Sequence, residues 1–241
     1  MYIPRKFEKR EKPYKFLTLS FDDGVTQDER FIKMLDERGI KCTFNINTGI
    51  CGLVHNLPYR DGEVTHNEHT EEKIREVYVN HEVAVHTLTH PRLDLLDEEG
   101  VIKEVGEDQK NLVRLTGQDV VGMAYPGGPF YTEETKRIIL EHTPVRYARN
   151  VQSHHSYKMP TDFMEWAPTC FWRSEACRWL IKKFIELEPT EDSLLYIWGH
   201  AYEFDMYDGW DLIGELLDLM AGHDDITYVT NGEIYKYMTE E

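Results

Sequence analysis

The order of apolar and amphipathic segments along the chain predicts a parallel α/β fold. Eight short apolar runs have the length and composition of buried strands: Phe16–Phe21, Cys42–Asn47, Glu82–His86, Val120–Tyr125, Val145–Asn150, Phe163–Thr169, Leu194–Gly199 and Ile226–Thr230. Between them lie segments with apolar residues at helical spacing: Asp28–Arg38, Glu71–Val79, Asp97–Leu115, Thr132–Glu141, Ser174–Leu187, Asp211–Met220 and Gly232–Met238. Because parallel strands need crossover connections, this repeated strand–helix alternation indicates a parallel sheet.

The number of strand–helix units favours one particular α/β architecture. The chain has no G-x-G-x-x-G motif, which argues against a dinucleotide-binding sheet and for a (β/α) barrel. It also has no internal repeat, low-complexity tract or clear linker, so we expect one domain over residues 1–241. The longest irregular segment, Gly49–Thr70, is expected to form a rim of any functional site.

Composition narrows the choice of partner. The 241 residues are 41% hydrophobic and carry a net charge of −17, which argues against nucleic acid and anionic membranes and favours a small neutral or cationic substrate. No apolar stretch is long enough to cross a membrane. The first 15 residues are basic and polar, and the four cysteines form no C-x-x-C pair. We therefore expect a cytoplasmic protein with free thiols.

The polar residues with the clearest chemistry follow predicted strands. The sequence Ser20-Phe21-Asp22-Asp23-Gly24 ends the first strand with two adjacent carboxylates, which an extended strand would direct to opposite sides. A barrel places functional residues at the carboxyl ends of its strands. Asp22 and Asp23, His86, Pro126 and His200 all lie at such ends in the predicted fold.

Two histidines and one of these carboxylates indicate a metal site. His86 and His90 are four residues apart in His86-Thr87-Leu88-Thr89-His90, and Asp23 comes from another strand end. Two imidazoles and one carboxylate leave coordination positions open for water and substrate. Zn²⁺ suits this set of ligands best, and Co²⁺, Mn²⁺ and Fe²⁺ are also compatible with it.

Together, these motifs resemble those of the polysaccharide deacetylase family, carbohydrate esterase family four, which includes chitooligosaccharide deacetylases. The resemblance rests on S-F-D-D-G, H-T-L-T-H, a strand ending in proline and a late histidine, and runs from about Phe16 to about Asp205. It implies a distorted (β/α) barrel, commonly seven-stranded. It also implies metal-dependent removal of acetyl groups, usually from N-acetylated amino sugars, with a metal-bound water as the nucleophile.

The resemblance assigns roles to the matching residues. Asp22 corresponds to the general base, and Asp23 to a metal ligand together with His86 and His90. His200, at the end of Leu194–Gly199, corresponds to the general acid that protonates the leaving amine. The aspartate that usually follows this histidine is absent here. That leaves Glu203 and Asp205, which are both close in sequence, as candidates to orient the imidazole.

The third and fourth motifs depart from the family pattern. In place of Arg-x-Pro-Tyr the chain has Ala124-Tyr125-Pro126-Gly127, so the arginine that orients the base is missing. Arg149, at the end of the next predicted strand, is our candidate to reach the same pocket. The backbone N–H of Gly127 takes the position that polarises the acyl oxygen. The fourth motif contributes a tryptophan that forms a wall of the substrate site and an acid that tunes the late histidine, and Trp166 and Asp162 are their counterparts here.

The sequence therefore predicts a hydrolase of C–N bonds other than peptide bonds. The expected substrate is a soluble N-acetylated sugar or oligosaccharide, or a related small amide or ester. Hydrolysis of a cyclic amide or ureide at the same site remains open because of the altered third motif. A non-catalytic carbohydrate-binding relative is a third hypothesis, although such a module needs neither Asp22 nor His200. The oligomeric state is not specified.

Overall fold

Within the described residues, eight parallel strands and eight α-helices make up the main body of the fold. A computed structural model of the chain describes residues 2–8 and 12–240. The strands are β1 (Lys15–Asp23), β2 (Cys42–Ile46), β3 (Asn56–Tyr59), β4 (Gly62–Thr65), β5 (Glu82–Val85), β6 (Gly122–Ala124), β7 (Tyr147–Arg149), β8 (Cys170–Phe171), β9 (Ser193–His200) and β10 (Ile226–Tyr228). The α-helices are α1 (Asp28–Asp36), α2 (Glu71–Val77), α3 (Glu98–Thr116), α4 (Glu133–His142), α5 (Cys177–Ile185), α6 (Tyr202–Met206), α7 (Trp210–Met220) and α8 (Asn231–Thr239).

The strand order confirms the predicted distorted (β/α) barrel. Seven parallel strands follow the order β7-β6-β5-β2-β1-β9-β8, and β10 pairs with the first residues of β1. The segment between β7 and β8 spans the remaining gap. The backbone of Trp166 forms a parallel bridge with Arg149, and the N–H of Thr169 donates to the carbonyl of Tyr196 on β9.

Strand β1 lies near the middle of the sheet and is buried along its whole length. Its side chains alternate between two environments, as the pleat requires. Leu17, Leu19 and Phe21 pack in the large core beneath the helices. The other face starts with Phe16 in a small aromatic cluster and continues with Thr18, Ser20 and Asp22. The barrel interior therefore becomes increasingly polar towards the carboxyl end of β1.

Hydrogen bonds pair several of the polar groups inside the barrel. The Thr18 hydroxyl donates to Asn231 on α8 (2.9 Å), and the Asn231 amide donates to Tyr196 on β9 (2.5 Å). Glu82 accepts from the hydroxyls of Thr43 (2.7 Å) and Tyr147 (2.8 Å). Since an unpaired buried polar group costs about 1–3 kcal/mol, these contacts hold the strands in register.

Helix boundaries follow the expected capping chemistry. Asp97 accepts a hydrogen bond from Gly100 N at the start of α3, and Thr132 and Thr230 form capping boxes at the starts of α4 and α8. Gly117 ends α3 in the left-handed conformation (φ 69°). Among the described residues, no helix has both the length and the apolar character needed to span a bilayer.

Two segments differ from the sequence prediction. The predicted strand Phe163–Thr169 was wrong: Phe163–Glu165 forms a 3₁₀ turn, Trp166 makes an isolated bridge, and strand β8 begins at Cys170. The cause of the turn is Asp162, whose side chain accepts from Met164 N (2.8 Å) and offers the backbone an alternative to a strand. Within Gly49–Thr70, predicted to be irregular, β3 and β4 form an antiparallel hairpin.

Candidate metal centre and active site

Asp22 and Asp23 face the same cavity, although they are neighbours in a strand. The cavity has a volume of about 560 Å³ and lies at the carboxyl ends of the barrel strands. In a regular strand the two side chains would point to opposite faces, as the sequence pattern indicates. Asp23 instead has a left-handed backbone (φ 83°). This conformation ends the strand and turns the second carboxylate back into the cavity, which corrects the expectation of opposite directions.

Asp23, His86 and His90 lie together as a candidate metal centre. Their ligand atoms all lie within 4.8 Å of one another. Asp23 Oδ1 is 3.5 Å from His86 Nε2 and 3.9 Å from His90 Nε2. His86 Nδ1 donates to the carbonyl oxygen of Ala124 (2.9 Å), so its Nε2 lone pair faces the centre. These donors fit a divalent cation such as Zn²⁺ with open positions towards the cavity.

The backbone that carries the two histidines is held in an unusual conformation. Thr87 and His90 both have positive φ values, 69° and 60°. A left-handed backbone conformation is unfavourable for a residue other than glycine, and it is kept only where surrounding contacts hold it in place. Here Asn47 Nδ2 donates to the carbonyls of His86 and Thr87, and Asp108 accepts from His86 N (3.1 Å). The histidine pair therefore lies in a fixed loop after β5, not on a helix.

The Asp22 carboxylate is held from two sides. Asn45 Nδ2, its register partner on β2, donates to Oδ1 (2.8 Å), and the Arg149 guanidinium contacts Oδ2. Both members of the ion pair are almost completely buried. The Arg149 guanidinium also lies over the Trp198 ring, 4.6 Å from its centroid. Asp22 therefore has a fixed orientation with an adjacent positive charge.

Arg149 comes from the strand next to the one that carries the altered third motif. Ala124 at the end of β6 and Arg149 at the end of β7 are register partners in adjacent parallel strands. An arginine on β7 can therefore reach the interior position that the usual motif would supply from β6. The structure thus brings the sequence candidate Arg149 to the first carboxylate of the site.

His200 lies on the opposite side of Asp22 from Asn45 and contacts Glu203. His200 Nε2 is 3.8 Å from Asp22 Oδ2, and Nδ1 is 3.4 Å from Glu203 Oε1. Burial would lower the pKa of His200, but the contact with Glu203 and the charge of Asp23 outweigh it and raise the pKa to about 9. Asp205 instead accepts from Gln27 and Trp210. Of the two candidate acids, Glu203 is therefore the one that contacts the His200 imidazole.

The third-motif residues form one wall of the cavity. Tyr125 and Gly127 line it, and Pro126 connects them at the end of β6. Gly127 has a left-handed backbone (φ 68°), and a Cβ there would lie 3.9 Å from His90 Cε1. Within residues 2–8 and 12–240, its N–H donates to no protein group. This N–H is therefore free to bind a ligand beside the metal centre.

Trp166 is not part of the cavity wall. It is 2% exposed and packs against Tyr147 and Tyr196 in the aromatic cluster at the other end of the barrel. Its backbone bridges Arg149 at the end of β7, but its ring points into the barrel interior towards Tyr147 and Tyr196, away from the cavity. The tryptophan that does line the cavity is Trp198 on β9.

His66, just after β4, contacts Asp23, and Glu68 contacts His66. His66 Nε2 lies 3.2 Å from Asp23 Oδ2, and His66 Nδ1 lies 3.1 Å from Glu68 Oε1. Burial would raise the pKa of Asp23, but the imidazoles of His66 and His86 hold it well below its usual range. Neither His66 nor Glu68 is among the site residues predicted from the sequence.

Comparison with known proteins identifies the family. The sequence profile of the polysaccharide deacetylase family matches residues 9–147, more than half of the chain. A search of curated proteins found no match to this chain. A T48 deacetylase solved with substrate superposes with a TM-score of 0.56 and 16% identity, over 93% of this chain and 92% of its own. The Xyl-CE4 domain of a multidomain xylanase from the hindgut metagenome of Trinervitermes trinervoides superposes with a TM-score of 0.57 and 14% identity. The match covers 93% of this chain and 91% of that domain's chain.

A third structure is similar in fold but differs in stated activity. It is a CE4 family pseudoenzyme from Bacillus anthracis, with a TM-score of 0.51 and 14% identity over 92% of this chain and 65% of its own. At these identities the structural likenesses establish the fold alone. The matched profile covers the S-F-D-D-G, H-T-L-T-H and A-Y-P-G motifs described above. The chain belongs to the polysaccharide deacetylase family.

Proposed function

We propose that this protein is a metal-dependent hydrolase that removes the acetyl group from an N-acetylated sugar or oligosaccharide. The observation that carries the proposal is the position of Asp22, held by Arg149 and Asn45 beside the Asp23–His86–His90 centre. A carboxylate fixed in this way beside metal ligands is suited to accept a proton. Family membership supports the reaction class.

A divalent cation, which we propose to be Zn²⁺, would be held by Asp23, His86 and His90 and would supply Lewis-acid polarisation of the acyl oxygen and an acidified water. The chain supplies the proton transfers and the second oxyanion contact. Asp22 accepts a proton from the water that attacks the acyl carbon. The N–H of Gly127 donates to the acyl oxygen as negative charge develops there.

Departure of the amine completes the reaction. His200 donates a proton from Nε2 to the leaving nitrogen as the C–N bond breaks, which gives acetate and a free amine. Its contact with Glu203 holds the imidazole in orientation and favours the protonated form. Asp22 and His200 lie 3.8 Å apart, so the base and the acid serve the same reacting centre.

The cavity wall is suited to a sugar ring. Trp198, Tyr125 and Tyr202 present aromatic surface to the cavity beside the polar centre. Aromatic faces and a few fixed polar groups are the usual means by which a pocket orients a small ligand. We therefore propose a neutral acetylated sugar that becomes a cationic amino sugar, in keeping with the acidic chain.

We also propose that one catalytic domain spans residues 1–241 and that the protein acts in the cytoplasm. The four cysteines are free, and Cys42, Cys170 and Cys177 are buried. Free buried thiols are common where the compartment is reducing. The oligomeric state is not part of the proposal.

The test is a substrate comparison with the Zn²⁺-loaded protein. We expect acetate release from N-acetylated chitooligosaccharides and no ring opening of cyclic amides or ureides. Turnover of the cyclic substrates alone would favour the second hypothesis. Saturable oligosaccharide binding without turnover of any acyl substrate would favour the non-catalytic one. The presence of Asp22, Arg149 and His200 in one site argues against that outcome.

A further inference from the structure

The hairpin β3–β4 brings three more potential metal ligands together. His55 precedes β3, and His66 and Glu68 follow β4. Backbone hydrogen bonds close the base of the hairpin, from His66 N to His55 O and from Glu68 N to Leu53 O, both 2.9 Å. One ligand atom from each of the three side chains lies within 4.8 Å of the others. All three residues line the cavity.

The Glu68 carboxylate has no hydrogen-bond partner. Its side chain is 2% exposed, and neither oxygen accepts a hydrogen bond within residues 2–8 and 12–240. His55 Nδ1 is likewise buried without a partner among those residues. A buried carboxylate in a protein is normally paired, hydrogen-bonded or bound to a metal. Beside the Glu68 carboxylate lies the His66 ring, and a cation bound between them would supply the partner that the carboxylate lacks.

The geometry of His66 suits a metal ligand. Its Nε2, 3.2 Å from Asp23 Oδ2, donates a hydrogen bond to that carboxylate in one neutral tautomer. Nδ1 then presents a lone pair beside Glu68 Oε1, 3.1 Å away. That separation is close to the spacing of two ligands on one ion when each bond is about 2.0–2.1 Å. Metal-bound histidines commonly donate their second N–H to a carboxylate in this way.

We propose that His55, His66 and Glu68 bind a second divalent cation of the Zn²⁺ class beside the Asp23–His86–His90 centre. Nitrogen and carboxylate donors of this kind suit Zn²⁺. Asp23 lies between the two sites, with Oδ1 towards His86 and His90 and Oδ2 towards His66. The second cation fixes Asp23 through His66. This site contains neither Asp22 nor His200 and goes beyond the proposed reaction.

A proton is the direct competitor of this cation. A doubly protonated His66 would bridge the two carboxylates and leave no second metal site. The two states differ in metal stoichiometry, because ligand atoms must release their protons to bind a cation.

The experiment is equilibrium dialysis of the purified protein against Zn²⁺, followed by elemental analysis. We expect about two equivalents bound to the wild type and about one to His55→Ala and Glu68→Gln. We also expect about one equivalent in His90→Ala, which leaves the second site intact. Asn56→Ala is the matched control from the same hairpin, since its side chain is exposed and hydrogen-bonded to Glu63, away from the three ligands. We expect it to bind as the wild type does.

The outcomes separate this proposal from the proposed function. One equivalent in the wild type, unchanged in His55→Ala and Glu68→Gln, would overturn the second site and leave the first intact. One equivalent that is lost in His55→Ala and kept in His90→Ala would support the second site and contradict the first. His55 is only partly buried and its side chain makes no hydrogen bond, so His55→Ala tests the site without a folding defect. Thermal unfolding of each variant checks this directly.

Discussion

Arg149 and Asp22 form a buried ion pair across the barrel interior, although three strands separate β7 from β1 in the sheet order. A flat sheet would keep these side chains far apart. The curvature of the half-barrel brings the carboxyl ends of the two strands to one interior point. This contact restores, from a different strand, the positive charge that the sequence lacks at Ala124.

Arg149→Lys is expected to lower kcat by about 10- to 100-fold with a smaller change in KM, because lysine lacks the planar fork that fixes a carboxylate. Arg149→Ala leaves Asp22 buried without its partner and is expected to destabilise the fold by about 3–5 kcal/mol. Steady-state kinetics and chemical denaturation measure the two effects. Arg178→Ala, which removes an exposed ion pair with Glu215, is the control. Unchanged kcat in Arg149→Lys would show that the pair does not orient the base.

Glu203→Gln is expected to shift the alkaline limb of the pH profile of kcat/KM to lower pH. The Glu203 charge raises the pKa of His200, so its removal makes His200 lose its proton at lower pH. As an acid, His200 is active below its pKa, and the loss is therefore greatest on the alkaline side. Glutamine still accepts from Trp172 Nε1 and keeps the packing.

Asp205→Asn is the matched control for that profile. Asp205 is also acidic and close in sequence, but its partners are Gln27 and Trp210. We expect its alkaline limb to stay at the wild-type position. A shift in Asp205→Asn equal to that in Glu203→Gln would mean that general loss of negative charge, not contact with His200, sets the profile.

Asn47→Ala is expected to weaken Zn²⁺ binding by about 10- to 100-fold, as is common when a group that orients metal ligands is removed. Asn47 donates to the carbonyls of His86 and Thr87 and so holds the loop in its left-handed conformation. Competition with a chromophoric chelator measures the affinity. Asn80→Ala, an exposed asparagine bonded to Asp36, is expected to bind Zn²⁺ normally. Equal affinity in both variants would contradict the role of Asn47.

Trp166→Ala is expected to lower the free energy of unfolding by about 3–5 kcal/mol, since it empties a buried aromatic site. The same residue lies outside the cavity, so the KM of the fraction that remains folded should change little. Trp198→Ala should raise KM, because its ring lines the cavity. Chemical denaturation and kinetics on both variants test the assignment. A raised KM in Trp166→Ala with normal stability would restore the substrate-wall role expected from the sequence.

Local sequence patterns predict much of this fold. The period-two alternation of β1, with apolar residues at Leu17, Leu19 and Phe21, identifies a buried strand without any tertiary information. The motif spacing then identifies Asp23, His86 and His90, which the structure brings together. Both features depend on residues close in sequence or on motifs tied to strand ends.

The remaining features depend on register and curvature. The contact of Arg149 with Asp22 exists only because β7 and β1 meet across the interior, which no local pattern specifies. The left-handed backbone of Asp23, a non-glycine residue, likewise contradicts its own local preference. The two-residue turn of the hairpin is Arg60-Asp61, between the paired residues Tyr59 and Gly62. An Asp-Gly turn at Asp61-Gly62, the stronger sequence signal, would shift this register, so the position of His55 beside His66 could not be predicted from it.

The most direct test of the account compares bound Zn²⁺ and acetate release in the wild type, Asp22→Asn and the double variant His86→Ala/His90→Ala, with N-acetylated chitooligosaccharide as substrate. We predict that Asp22→Asn keeps the wild-type amount of Zn²⁺ and loses acetate release, because it removes the base and leaves the ligands. The double variant should lose both the ion of the Asp23 centre and activity. Full acetate release by Asp22→Asn, or unchanged Zn²⁺ content in the double variant, would contradict the account.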